Sequence, residues 1–209
     1  MIDILTEGGG LLGERDYTLI IDQSEAMGQK DEGKDLWLFL ENATLAIANK
    51  CEEYDFNGLS LYFYNETFSK FNHVNGHQIA HSFQTNKPVG SPKLAAPLQE
   101  AIDDYFQRRS LGFSKVNGET IITILGSIPL DAKQVEEILI KAANQISHDE
   151  ELAILFIQVV PDKNLSELLE KWDDKLLELG AKFDICDTIK IEEIKPEIVA
   201  ELLLKAIID

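Results

Sequence analysis

Leu19-Ile20-Ile21-Asp22-Gln23-Ser24-Glu25-Ala26-Met27-Gly28 joins an uninterrupted apolar run to an acidic, hydroxyl-bearing turn. Such a run reads as a buried strand, and the turn after it as the place where a strand hands over to a helix. The pattern continues outward from there. Apolar strand-like runs at 17–22, 59–64, 120–125, 152–160 and 183–189 alternate with amphipathic segments. Leu36, Leu40, Ala43, Ile47 and Cys51 recur at steps of three and four, which places them on one helical stripe. The same spacing returns in Leu94, Leu98, Ala101, Ile102 and Tyr105, in Val135, Ile138, Leu139, Ala142 and Ile146, and in Leu165, Leu168, Leu169, Trp172, Leu176 and Leu179. Residues 66–74 read as an antiparallel edge strand and 198–207 as a closing helix. The alternation predicts an α/β fold: a Rossmann-like, doubly wound, mostly parallel six-stranded sheet with one antiparallel edge strand and helices on both faces.

Local signals refine the boundaries. Asp131 stands three residues before Gln134, and Asn164 three before Glu167, the spacing of a capping box. Ser91-Pro92 suits a helix start, with Ser91 as the cap, while Pro97 would kink or delay the helix that follows. Residues 1–15, with three consecutive glycines at 8–10, are expected to form a flexible segment, and 16–209 a single domain.

Composition narrows the function classes. The 209 residues hold 19 Lys+Arg against 37 Asp+Glu, a formal charge of -18, which opposes binding to nucleic acid or to an anionic membrane surface. Cys51 and Cys186 are far apart and match no disulfide or zinc spacing, so reduced, partly buried thiols are expected. No stretch resembles a secretory signal or spans a bilayer, which makes a cytoplasmic location the default. His73, His77 and His81 include two residues one helical turn apart, but no cysteine or spaced carboxylate completes a transition-metal set. Neither a G-x-S-x-G elbow nor a Walker loop occurs, so an enzyme using Asp22 as nucleophile or Ser24 as an activated hydroxyl lacks its other parts. Trp37, Trp172 and Tyr62-Phe63-Tyr64 read as core.

In an open doubly wound sheet, sites form beyond the carboxyl ends of the strands, where strand order reverses. There the sequence resembles the von Willebrand factor A domain family over about 16–209. Asp22-Gln23-Ser24-Glu25-Ala26 is similar to its D-x-S-x-S motif, Gly90-Ser91-Pro92-Lys93-Leu94 to its G-x-T-x-L stretch, and Thr123 to Ser127 to its strand ending in T-D-G. The resemblance implies a metal-ion-dependent adhesion site built from an aspartate and two serines, a threonine and a second aspartate. Only Asp22 and Ser24 match; Ala26, Pro92 and Gly126 replace the other three ligands. Magnesium prefers near-octahedral oxygen coordination, so Asp22 and Ser24 are expected to be vestigial, with weak Mg2+ or Mn2+ binding at most and no resident cofactor. Ser91 or Ser127 could substitute only by moving about one residue, ~3.3 Å in extended backbone. A plainer reading gives Asp22 and Ser24 hydrogen bonds to backbone in a tight turn.

The resemblance implies a non-catalytic protein-interaction or assembly module. Its expected rim comprises Asp22, Ser24, Glu25, Ala26, Ser91, Pro92, Gly126 and Ser127. A protein partner docking there would gain from Lys or Arg, given Glu25, Asp31 and Glu32. The alternatives are a residual or rearranged divalent-metal site, or an enzyme using Asp22 and Ser24.

Overall fold

The computed structural model describes residues 10, 12–31, 34–54, 58–194 and 198–208. Its main sheet has six strands: β1 (Asp16–Asp22), β4 (Leu59–Tyr64), β5 (Phe68–Val74), β6 (Glu119–Leu125), β7 (Leu152–Gln158) and β8 (Cys186–Lys190). Their order is β5-β4-β1-β6-β7-β8. All pairings are parallel except β4 with β5. A two-stranded ribbon, β2 (Lys30–Asp31) with β3 (Lys34–Asp35), was not read from the sequence.

Side chains alternate along each strand, so Leu19 and Ile21 enter one core and Ile20 the other. The first core, with Phe63, Ile122, Ile124 and Leu155, is covered by α1 (Leu36–Tyr54), α2 (Gly76–Thr85) and α6 (Val199–Ile208). The second, with Tyr62, Tyr64, Leu125 and Phe156, is covered by α3 (Ala95–Ser110), α4 (Ala132–Gln145) and α5 (Lys163–Asp174). The expected stripes therefore face the sheet, although α5 stops at Asp174 and leaves Leu179 on the surface. Trp172 is fully buried, and Trp37 packs on Phe83 with ring centroids 4.8 Å apart.

Helix ends differ from the sequence reading. Asp162, not Asn164, caps α5, accepting from the Leu165 amide at 2.8 Å. The capping box sits instead on α2, where Asn75 and Gln78 satisfy each other's amides at 3.0 and 3.1 Å. Both sequences contain a short polar residue three before a longer amide or acid, so local spacing alone could not choose.

The sheet is anchored at its amino edge by residues expected to lie outside the domain. Leu12 and Arg15 are buried, so the packed unit begins before Asp16. Arg15 donates to the Thr120 hydroxyl at 2.6 Å and to the carbonyls of Glu119 (2.7 Å), Glu150 (2.6 Å) and Asn117. It thereby ties the entry of β1 to the starts of β6 and β7. Burial lowers its guanidinium to about 10, which leaves it charged at neutral pH. Alongside, Arg108 bridges Asp16, Asp104 and the buried Glu119.

Arg15→Ala would leave three carbonyls and a hydroxyl without their donor, so it should cost about 3 kcal/mol of unfolding free energy. Chemical denaturation reads this; a loss under about 1 kcal/mol would contradict the anchoring role.

Candidate functional site

The strand order reverses at β1, whose neighbours β4 and β6 lie on opposite sides. Three loops meet beyond that point: 23–29 after β1, 86–94 before α3, and 126–131 after β6. Asp22 ends β1 inside the fold and is fully buried. One carboxylate oxygen accepts from the Ser24 amide at 2.7 Å, the other from the Gly126 amide at 3.0 Å. The first bond closes the tight turn expected from an Asp two residues ahead of its donor. The second crosses to the loop after β6. Burial pushes the Asp22 carboxyl above the usual carboxylate range, while the adjacent Ser24 side chain and these two amides favour its charged form.

Backbone bonds lace the remaining loops together. Val89 N donates to Gln23 O at 2.8 Å, Glu25 N to Gly90 O at 2.9 Å, and Leu130 N to Pro92 O at 2.9 Å. Gly90, with φ of 77°, takes a left-handed turn that a side chain would strain. A β-carbon there would also lie 2.1 Å from a Glu66 oxygen. Glu66 accepts from the Ser91 amide at 2.9 Å. Ser91 is therefore not the cap of α3, which begins four residues later. The cap is supplied through space by Asp131, whose two oxygens accept from Leu94 N at 2.9 Å and Ala95 N at 3.0 Å. Asp131 makes no side-chain cap bond to its own helix, α4. Pro97, third in α3, removes only an amide that the first turn leaves free.

Seven of the eight expected rim residues thus lie on these three loops, and the eighth, Asp22, ends β1 beside them. Asp22, Ser24 and Gly126 are buried; Ala26, Ser91, Pro92 and Ser127 are half-buried, and Glu25 is exposed. The hydroxyls of Ser24 and Tyr64 are buried without a hydrogen bond among the described residues. Burial, with the Asp22 and Asp131 carboxylates nearby, raises the Tyr64 hydroxyl well above its usual range.

Sequence reasoning missed two participants. One is Glu66. The other is Met27, which the 3-10 turn Glu25–Gly28 carries back inside, fully buried, toward Gly126. The expected acidity is also tempered: Lys87 and Lys93 share the exposed loop surface with Glu25. Of the other residues expected there, Asp31 is described only in its backbone and Glu32 lies outside the described residues. The rim instead exposes apolar side chains, Val89 at 53%, Ile128 at 39% and Leu130 at 70%. His77 and His81 are exposed on α2 and His73 lies on β5. Among the described residues, no group of three or more His, Cys, Asp or Glu is arranged to hold a metal ion, and no helix is long and apolar enough to cross a membrane.

No protein-family model matches the sequence, and no curated protein does. Solved structures match throughout the fold. The pilus adhesin SpaC from Lactobacillus rhamnosus GG superposes with a TM-score of 0.60 at 8% identity, over 92% of this chain and 30% of that one. Proximal thread matrix protein 1 from the mussel byssus, with a zinc-occupied MIDAS motif, gives 0.56 at 14% identity, over 94% of this chain and 46% of that one. The vWF domain of the type V pili tip protein Mfa5 from Porphyromonas gingivalis gives 0.51 at 10% identity, over 93% and 96%. The chain therefore spans less than half of the first two proteins and nearly all of the third. At these identities the likeness establishes the fold and assigns no residue a role.

Because Asp131 caps α3 from another loop, Asp131→Ala should lower stability by about 1–2 kcal/mol. Asp131→Asn, which keeps one acceptor, should lose less. Equal stability of all three proteins in urea unfolding would show that the cap contributes nothing.

Proposed function

We propose that this von Willebrand factor A-type fold serves as a non-catalytic protein-interaction or assembly module, and that a partner docks on its loop rim without a bridging cation. The observation that carries the reading is the state of Asp22. Its carboxylate is fully buried and both oxygens already hold backbone amides of the rim, at 2.7 and 3.0 Å. A group so placed braces loops. It offers no exposed nucleophile, which disfavours the enzymatic alternative.

The donor set also fits a divalent cation poorly. A hard ion would seek about six oxygens, and three of the five matching positions, Ala26, Pro92 and Gly126, have no side-chain oxygen. What the rim offers a partner is apolar surface: Val89, Ile128 and Leu130 stand out from loops that backbone bonds hold still. Exposed apolar side chains on loops with polar neighbours have the usual character of an interface centre. Because Lys87 and Lys93 are exposed on loop 86–94 as Glu25 is on loop 23–29, the partner is selected by apolar fit more than by basic charge. The neighbouring folds point the same way, since they come from a pilus adhesin, a pilus tip protein and a byssal matrix protein. A cytoplasmic setting stays part of the proposal, since the thiols of Cys51 and Cys186 are buried in the two separate cores.

One observation favours the second reading, a rearranged metal site: the Ser24 hydroxyl is buried beside Asp22 with no hydrogen bond among the described residues. Native affinity capture with quantitative mass spectrometry separates the two. Partners of the wild-type chain should persist in EDTA and be lost, by about tenfold or more, from a Val89→Glu/Leu130→Glu variant of unchanged stability. Partners released by EDTA would establish the metal-dependent reading, and partners indifferent to the rim substitutions would move the interface elsewhere.

A further inference from the structure

We infer that Asp173 guards the open edge of the main sheet against a second copy of this chain: its carboxylate takes the outward amide of Thr188, the central residue of β8, on which a second β8 would otherwise pair. This surface lies on β8 and α5, and the inference does not rest on the reading of the loop rim. The sheet ends in β8 on one side and in β5 on the other. The two edges differ. β5 is broken by a register shift opposite Leu59 and Leu61, where His73 has φ of 55°, and a bulge of this kind blunts an edge. β8 instead runs in unbroken parallel register with β7 from Cys186 to Lys190. Backbone groups alternate sides along a strand, and the Ile185 carbonyl accepts from Ile154 of β7, so Cys186, Thr188 and Lys190 turn theirs to the open side. A regular edge presented in this way is a template for strand addition.

Thr188 N donates to Asp173 Oδ2 at 3.0 Å and to Asp187 Oδ1 at 2.8 Å. The Asp187 bond is local to the strand, and that buried carboxylate is held by Lys205 Nζ of α6 at 3.0 and 3.2 Å. Asp173 comes from another element, the last turn of α5, and stands where a second strand would lie. The helix dipole favours basic residues at that position, so the amide it holds accounts for a carboxylate there. β8 is also self-complementary. Two copies laid antiparallel about a twofold axis through Thr188 set Cys186 across from Lys190 and Asp187 across from Ile189, with no like charges opposed. The guard responds to protons. Burial, then Asp187 and Asp174, push the Asp173 carboxyl up to about 7, against the Thr188 amide and Lys205. The buried Cys186 thiol beside them is raised well above its usual range and stays neutral. A protonated carboxyl is the weaker acceptor, so falling pH loosens the guard.

Sedimentation velocity of the full chain in about 0.15 M salt, which screens the formal charge of -18, reads the state of the edge. Self-association of the wild type should tighten about tenfold from about pH 8 to about pH 6. Asp173→Ala should associate about tenfold more tightly than wild type at the higher pH and change little on acidification. Thr188→Pro removes only the outward amide, a change an edge strand tolerates, and should abolish association in both backgrounds while urea unfolding shows the fold retained. A folded Asp173→Ala that stays monomeric at both pH values overturns the guard, as does association that survives Thr188→Pro. An equal response to pH in wild type and Asp173→Ala overturns its sensitivity to protons. Should Asp173→Ala fail to fold, the wild type decides: association that strengthens in acid and is lost with Thr188→Pro upholds the inference, and its absence overturns it.

Discussion

The carboxylate of Asp22, shared between the amides of Ser24 and Gly126, is the bond pair on which the carboxyl edge of this sheet depends. It joins the turn after β1 to the loop after β6, the two strands flanking the reversal of strand order. A buried carboxylate is costly unless its lone pairs are occupied, and here two amides that would otherwise lack acceptors occupy them. The remaining rim contacts are built around that fixed point. Loop 86–94 is bonded to the first loop through Val89 and Glu25, and to the third through Leu130. Glu66 and Asp131 brace it from the sides.

The opposite edge uses the reverse polarity. There a buried cation, Arg15, gathers carbonyls from the starts of β6 and β7, and Arg108 gathers carboxylates, including the buried Glu119. The same sheet is thus pinned at one edge by an acceptor that collects donors and at the other by donors that collect acceptors. Between the pins, the alternation of Ile20 and Ile21 into separate cores fixes which helices cover which face. A rim held this way can display Val89, Ile128 and Leu130 in a constant arrangement, and preorganisation of that kind lowers the entropic cost of binding.

Much of this was legible in the chain. Strands β1, β4, β6 and β7 announce themselves as apolar runs, and the four stripes give the helices, because burial leaves a periodic trace along a single element. The edge strand β5 and the closing helix follow from the same signal. What failed was chemistry acting through space. Asp131 looks like the cap of its own helix, yet it serves a helix that begins 36 residues earlier. Ser91 looks like that helix's cap, yet its amide is held by Glu66. Met27 reads as an ordinary apolar residue in a turn; only the structure shows it fully buried and close to Gly126 on the loop after β6. Arg15 reads as part of a glycine-bearing tail, because its acceptors lie more than a hundred residues away.

The likeness to pilus tip and matrix proteins concerns architecture, and the chemistry of this rim has to be argued from its own residues. Its central claim is that amides, not a metal ion, satisfy Asp22. The most direct measurement is an amide NMR spectrum of the protein in EDTA, followed by titration with Mn2+. The account predicts that the Ser24 and Gly126 resonances, which donate to Asp22, neither shift nor broaden at concentrations that leave the rest of the spectrum unchanged. Selective broadening of those two signals, with their neighbours on the three loops, would place the ion at Asp22 and contradict it.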